Sequence, residues 1–271
     1  MIRVLRLSAI LAWTLALLPF QLYGLVRQSP LRTRIPVVYH RGVARILGFK
    51  VETWGIRSAA HPTLFVANHT SWLDIVVLSC VTPGSFVSKA EVRQWPFFGT
   101  LAKLQRSVFI DRRRHQVANH RDEIGTRLDA GDNLILFPEG TSNDGNRVLP
   151  FKSALFAVAQ RATPLTVQPV TVAYTHLDDM PMGRHFRPLI AWYGDMQLGR
   201  HLWGVLGLGP VTVAVVFHPP VVTDAATSRK ELADRCRAAV AKGLSRALMG
   251  RLDGVPTIAE PGVAVSPAAR P

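Results

Sequence analysis

The chain has 271 residues, nearly half of them apolar, and carries 32 Lys and Arg against 18 Asp and Glu, a formal charge of +14. That length holds one large domain or two small ones with a full core, and the charge calls for an anionic partner: nucleic acid, anionic lipid or an acidic protein. Two cysteines, Cys80 and Cys236, exclude a disulfide framework and a cysteine-built metal cluster, and they suit a reducing compartment.

Residues 1–60 hold nine Lys and Arg and a single acid, Glu52. Within them, 7–26 is free of charge, with Arg3 and Arg6 before it and Arg27, Arg32 and Arg34 after it. About 20 apolar residues suffice to span a bilayer, so the charge is read as directed at lipid. A signal peptide has the same basic start and apolar core. Against it, the run ends without a small-x-small cleavage site and continues into arginines. Pro19 is expected to kink a helix here, so one span and a pair of shorter membrane-embedded helices both fit. The expected organisation is a membrane anchor over 1–34, a catalytic domain over 35–254 and a disordered Pro/Ala/Gly-rich tail over 255–271.

Past the anchor, apolar spacing predicts a helix over 35–49. Short apolar runs then alternate with helical patterns. Strands are predicted at 49–54, 63–67, 85–88, 107–111, 133–138, 166–174 and 211–217. Helices are predicted at 71–80, 94–104, 115–130, 152–162 and 225–249, and 177–208 reads as loop or lid. The alternation implies an α/β domain with a mostly parallel sheet flanked by helices, whose ligands bind beyond the C-terminal strand ends.

Four polar stretches fall at those ends: Asn68-His-Thr-Ser-Trp-Leu-Asp74, the Ile-Asp-Arg run reaching Arg112, Phe137-Pro-Glu-Gly-Thr-Ser142 and Val167-Gln-Pro-Val-Thr-Val172. Asp74, in the first turns of a helix, can reach back to His69. A carboxylate on one imidazole nitrogen fixes the tautomer and makes the other a base. The plainer alternative is a loop-capping histidine and a helix N-terminal charge. Ser71 as a nucleophile lacks the Gly-x-Ser-x-Gly setting that exposes a hydrolase serine. Glu139, Gly140 and Thr141 form a turn suited to an anion or polar headgroup, although Asp144-Gly145 is also an ordinary turn signal. Arg112 closes a strand where a guanidinium suits a phosphate; Arg113 and Arg114 fit a solvated patch equally well.

Taken in this order, the four blocks resemble the glycerolipid acyltransferase family of lysophosphatidate acyltransferase type. Its pattern is Asn-His-four residues-Asp, then Phe-Ile-x-Arg, Phe-Pro-Glu-Gly-Thr and Val-x-Pro-Val. The resemblance covers residues 65–172 and is most specific in its first and third blocks. It implies His69 as general base, Asp74 as its orienter, and acceptor binding by Arg112, Glu139, Gly140, Thr141, Ser142 and Asp144, with Asn68, Pro138 and Pro169 forming the site. The co-substrate would be an acyl thioester of acyl carrier protein or coenzyme A, with no cofactor and no metal. The other partners implied are a lysolipid acceptor and an anionic bilayer surface, with no nucleic acid. The place implied is the cytoplasmic membrane, the catalytic domain facing the cytoplasm.

One position departs from the pattern. The family's third block usually continues Glu-Gly-Thr-Arg, whereas Ser142 stands here, with Asp144 two residues on. Residues 137–156 are similar to the branch that acylates lyso-ornithine lipid, whose headgroup carries an ammonium and a carboxylate instead of a phosphate. That acceptor is slightly favoured over lysophosphatidate. An inactive membrane scaffold, a nucleic-acid-binding protein and a serine hydrolase are the rival classes.

Overall fold

The computed structural model describes residues 1–110 and 117–253, so the expectations for Arg112 to Arg114 and for the tail from 255 lie outside the described residues. Seven strands run in the order β1 (Phe49–Trp54), β8 (Val211–Phe217), β6 (Leu165–Leu177), β2 (Thr63–Ala67), β5 (Leu134–Leu136), β3 (Ser85–Lys89) and β4 (Val108–Ile110). β7 (Met180–Pro181) and β9 (Val221–Thr223) also pair with β6. Pairing is parallel except where β6 meets β7, β8 and β9.

Side chains of successive strand residues point to opposite faces, and β2 shows the consequence. Phe65 and Ala67 join the core formed with α2 (Leu31–Leu47) and α3 (Leu73–Val81). Leu64 and Val66 join the core formed with α5 (Val117–Asp129) and α7 (Arg229–Leu248). All five β2 residues are buried, which is why this strand reads as a continuous apolar run instead of an alternating one. The sheet is therefore a central layer between two helical ones, and the C-terminal end of β2 opens among the elements that carry the polar motifs.

The N-terminal run forms one helix, α1 (Ile2–Val26), continuous through Pro19. It is long and apolar enough to cross a membrane. α2 returns antiparallel beside it: Gln21 Nε2 donates to Arg32 O, and Trp13 Nε1 donates to Tyr39 O. One side of α1 is held to the domain along its length, through Arg6 to the Leu208 carbonyl (2.6 Å) and Gln21 to the Leu104 carbonyl (2.6 Å). The other side exposes Leu5, Leu15, Leu22 and Val26.

Three expectations shift at the element level. The helix expected over 94–104 is split at Pro96 into a 3-10 turn, Ala90–Gln94, and α4 (Phe98–Leu104), because proline carries no backbone N–H for a helix interior. The helix expected over 152–162 is a 3-10 segment, Ser153–Ala159, with i to i+3 bonds such as Gln160 N–H to Ala157 O; β6 follows at Leu165, before a regular helix can develop. The region 177–208 contains α6 (Leu198–Val205), whose eight residues are too few for a clear periodicity signal. β9, outside the predicted strands, is too short to show an alternation.

Gly42 marks the tightest seam between α1 and α2: a Cβ there would lie 2.1 Å from Trp13 Nε1. Gly125, in α5, has open space around its Cβ position. Gly42→Ala should therefore destabilise the fold by about 1–3 kcal/mol through overpacking. Gly125→Ala should stabilise it by about 0.5–1 kcal/mol through helix propensity. Thermal unfolding in detergent reads both, and shifts of the same sign would contradict this packing.

Candidate active site

β2 ends at Ala67, and the next residues turn toward the sheet rim before α3 begins at Leu73. Asn68 fastens that turn to β6, donating from Nδ2 to Val172 O and accepting at Oδ1 from Val172 N–H, both at 2.9 Å. Pro169, two residues beyond the start of the Val-Gln-Pro block, pairs in register with Val66 and accepts from His218 N–H at its carbonyl. The strand end that carries His69 is thus fixed against its neighbour.

Asp74 sits in the first turn of α3 and is completely buried. Its Oδ2 accepts from Thr70 N–H (2.7 Å), Ser71 N–H (2.9 Å) and His69 Nδ1 (2.9 Å). Its Oδ1 accepts from the Tyr174 hydroxyl at 2.8 Å. A carboxylate only accepts, so Nδ1 carries the proton and the Nε2 lone pair is left for chemistry. Tyr174 is itself buried, and burial first, with the neighbouring Asp74 charge second, holds its hydroxyl protonated far above the usual phenol range. The His69 ring stacks on Phe137 at 4.1 Å and 13°, and Phe137 stacks on Phe86. Ring orientation is therefore constrained by one hydrogen bond and one flat face.

The third motif holds the histidine's backbone. Glu139, 2% exposed, accepts at Oε1 from His69 N–H (2.8 Å) and at Oε2 from Asn143 Nδ2 (2.6 Å) and Leu149 N–H (3.0 Å). Asn143 N–H in turn donates to His69 O at 3.1 Å. Burial pushes the Glu139 carboxyl up to about 7, against the downward pull of those donors. Both oxygens of Glu139 are engaged within the protein, which is the placement of a brace for His69. Pro138 O accepts from Lys152 N–H, closing the same loop. Gly145 adopts φ +73°, and a Cβ there would stand 2.9 Å from Thr70 Cγ2, so the 140–147 loop packs directly on the His69 turn.

A cavity of about 520 Å³ opens beside His69. Gly140, Thr141 and Ser142 line it near the histidine, with Trp72, Trp95 and Trp192 also in its wall. Elsewhere the wall is mainly apolar and includes Leu7, Ile10 and Leu11 of α1 and Val43 and Leu47 of α2. The N-terminal segment is thus part of the cavity as well as a hydrophobic surface. Its size and mainly apolar lining are those of a small-molecule binding site.

Of the residues expected at the site, His69, Asp74, Asn68, Pro138, Glu139, Gly140, Thr141, Ser142 and Pro169 converge on this rim. Asp144 lies on the same loop outside the cavity wall and accepts from Asn146 N–H. The serines expected of a hydrolase are poorly placed: the Ser71 hydroxyl is buried and unpartnered, and Ser142 Oγ donates to Trp192 O. Sequence reading missed Tyr174, although the period of two in β6 sets Val170, Val172 and Tyr174 on one face. Asn143, just past the third motif, was missed as well.

The family model described as Acyltransferase matches residues 49–173. A lyso-ornithine lipid O-acyltransferase of Brucella abortus is 48% identical over 251 residues, spanning 90% of this chain and 94% of its own. The chain belongs to the glycerolipid acyltransferase family. It is an acyltransferase, and other relatives show the range of the family. A lyso-ornithine lipid O-acyltransferase of Rhizobium meliloti is 42% identical, covering 88% of this chain and 84% of its own. A 1-acyl-sn-glycerol-3-phosphate acyltransferase of Neisseria meningitidis is 34% identical, covering 74% and 76%. The fold of this acyltransferase is shared with the crystal structure of a 1-acyl-sn-glycerophosphate acyltransferase from Thermotoga maritima, at TM-score 0.63 and 22% identity over 91% of this chain and 97% of that one.

The brace yields a prediction with a pH signature. The folded Glu139 carboxyl lies above its ordinary value of 4.5, so the folded state holds this proton more tightly than the unfolded chain. The stability it contributes is complete below that ordinary value and fades as pH rises through about 7. Glu139→Gln should lose an acceptor for a buried N–H at a cost of about 1–3 kcal/mol and should flatten this part of the stability profile. Thermal unfolding at a series of pH values checks it; an unchanged slope in the variant would refute the buried-brace reading.

Proposed function

We propose that this acyltransferase moves a fatty acyl group from an acyl thioester to the free hydroxyl of lyso-ornithine lipid, with His69 as general base. The observation that carries the mechanism is the His69–Asp74 contact, which leaves Nε2 unprotonated beside an apolar cavity. The hydroxyl oxygen attacks the thioester carbonyl carbon while Nε2 takes its proton. The tetrahedral intermediate then collapses, the carbon–sulfur bond breaks, and the imidazolium returns the proton to the departing sulfur. Asp74 stabilises the transient imidazolium, and Tyr174, Thr70 and Ser71 keep Asp74 oriented. Neither a metal nor an acyl-enzyme is needed. Acyl carrier protein and coenzyme A both present the required thioester.

The acceptor reading rests on Ser142 in place of the family's arginine and on the relatives named for lyso-ornithine lipid. The chief alternative acceptor is lysophosphatidate, favoured by the Neisseria relative and by the guanidiniums around the 140–147 loop. For the membrane, α1 is read as half-sunk in the surface of an anionic bilayer, its held side toward the domain and its apolar side toward lipid. The catalytic domain then faces the cytoplasm at the inner membrane. A cavity walled by α1 receives its acyl chain close to that surface.

Two experiments test this reading. His69→Ala should reduce transfer by about 10²–10⁴-fold, the usual range for a general base, with folding preserved. Asp74→Asn should lose most activity by misorienting the ring. Retention of more than roughly a tenth of wild-type rate by His69→Ala would end the mechanism. Separately, purified protein offered lyso-ornithine lipid and lysophosphatidate with each donor should show the higher kcat/KM on lyso-ornithine lipid. A preference for lysophosphatidate would reverse the acceptor assignment and leave the acyltransferase assignment standing.

A further inference from the structure

The segment 183–192 folds onto the 140–147 loop next to the His69 turn. Ser142 Oγ donates to Trp192 O, Trp192 N–H donates to Thr70 O, and Arg187 Nη1 donates to Asn146 Oδ1. Asn146 also hydrogen bonds to Asp144 through its backbone N–H at 3.1 Å, so it bridges Arg187 and Asp144. Arg147 and Arg184 lie close enough to Asp144 to act on its charge, and Arg184 also acts on Arg187. Among the described residues, Arg187 is thus joined to Asp144 through Asn146, and Arg147 and Arg184 add positive charge in the same neighbourhood. Hydrogen bonding from Asn146 first, then the two arginines, holds the Asp144 carboxyl below its usual range. Burial first, and repulsion from Arg184 second, lowers Arg187. Arg187 Nε is enclosed and makes no hydrogen bond.

Such a cluster carries excess positive charge with one fixed negative point inside it. A phosphate would meet the guanidiniums and the Asp144 carboxylate together. A headgroup with a carboxylate at one end and an ammonium at the other can satisfy both signs. We propose that Arg184 and Arg187 bind the carboxylate of a zwitterionic amino-acid lysolipid while Asp144 takes its ammonium. This rests on the acceptor reading above and goes further by naming where the headgroup binds. The guanidinium absent at position 142 is then supplied from 184 and 187. Ser142 contributes by tethering the segment that brings them, through Trp192 O. Charge-assisted bonds to a carboxylate are among the stronger polar contacts, and a guanidinium fork matches the two oxygens.

The test uses the full-length purified protein in mixed micelles with an acyl thioester and two acceptors, lyso-ornithine lipid and its carboxyl methyl ester. The ester keeps the ammonium and the reacting hydroxyl and removes the anion. For the free acid, Arg187→Gln should raise the acceptor KM about tenfold, the equivalent of ~1.4 kcal/mol, with kcat and the donor KM nearly unchanged. The wild type should show a similar penalty for the ester, and Arg187→Gln should add little to it. Arg187→Lys, which keeps the charge, should restore part of the preference for the free acid. Equal losses on acid and ester would mean that Arg187 only braces Asn146, and no change on either would mean that it does not meet the headgroup; both overturn the proposal. A wild type that acylates lysophosphatidate and refuses lyso-ornithine lipid would instead remove the acceptor reading, and this site with it. If Arg187→Gln unfolds, the same acid-to-ester comparison on Arg184→Gln decides.

Discussion

The contact on which the site depends is the 2.9 Å hydrogen bond between His69 Nδ1 and Asp74 Oδ2. It sets which imidazole nitrogen is basic. It also couples a strand end to the helix that follows, because the same Asp74 oxygen accepts from the Thr70 and Ser71 amides. Asp74 therefore closes the turn and orients the imidazole with one carboxylate. A fully buried anion of this kind persists only when its lone pairs are met, and here four donors meet them. Two of the four are backbone amides of the turn itself, so only the His69 and Tyr174 donors can be removed by substitution.

A second layer depends on the first. Asn68 pins the turn to β6, and the same strand presents Tyr174 to Asp74 two residues beyond the Val172 contact. Glu139 and Asn143 hold the backbone of His69 from the opposite side. The Glu-Gly-Thr-Ser loop thus works through the histidine as well as beside it. Gly140, Thr141 and Ser142 line the cavity, while the Glu139 carboxylate is turned to His69, Asn143 and Leu149. The cavity then extends to α1, so the long apolar N-terminal helix also shapes the space beside His69.

Much of this was legible because the informative residues are local. A buried strand, a polar turn and a helix start over 63–74 are all encoded within a dozen residues, and the His-Asp pairing follows from helix geometry at short separation. The sheet strands were legible for the same reason: β-branched runs between turn residues. What escaped depends on long-range packing. Tyr174 reaches Asp74 across 100 positions, and nothing local distinguishes it from a core tyrosine. Glu139 was assigned to acceptor binding by the family resemblance, and nothing in its local sequence shows its partners. Only the fold shows that three N–H donors converge on it. Pro19 left one helix and a pair of shorter ones both open; α1 is the single helix, packed against α2 and tied to the domain at Arg6 and Gln21.

The central claim is that the acceptor hydroxyl attacks the thioester directly, with His69 as the base and no acyl-enzyme. The most direct measurement is initial velocity with both substrates varied, together with thiol release in the absence of acceptor. Direct transfer predicts intersecting double-reciprocal lines and no burst of thiol before the acceptor is added. Parallel lines with a stoichiometric burst, the signature of a covalent intermediate, would contradict it.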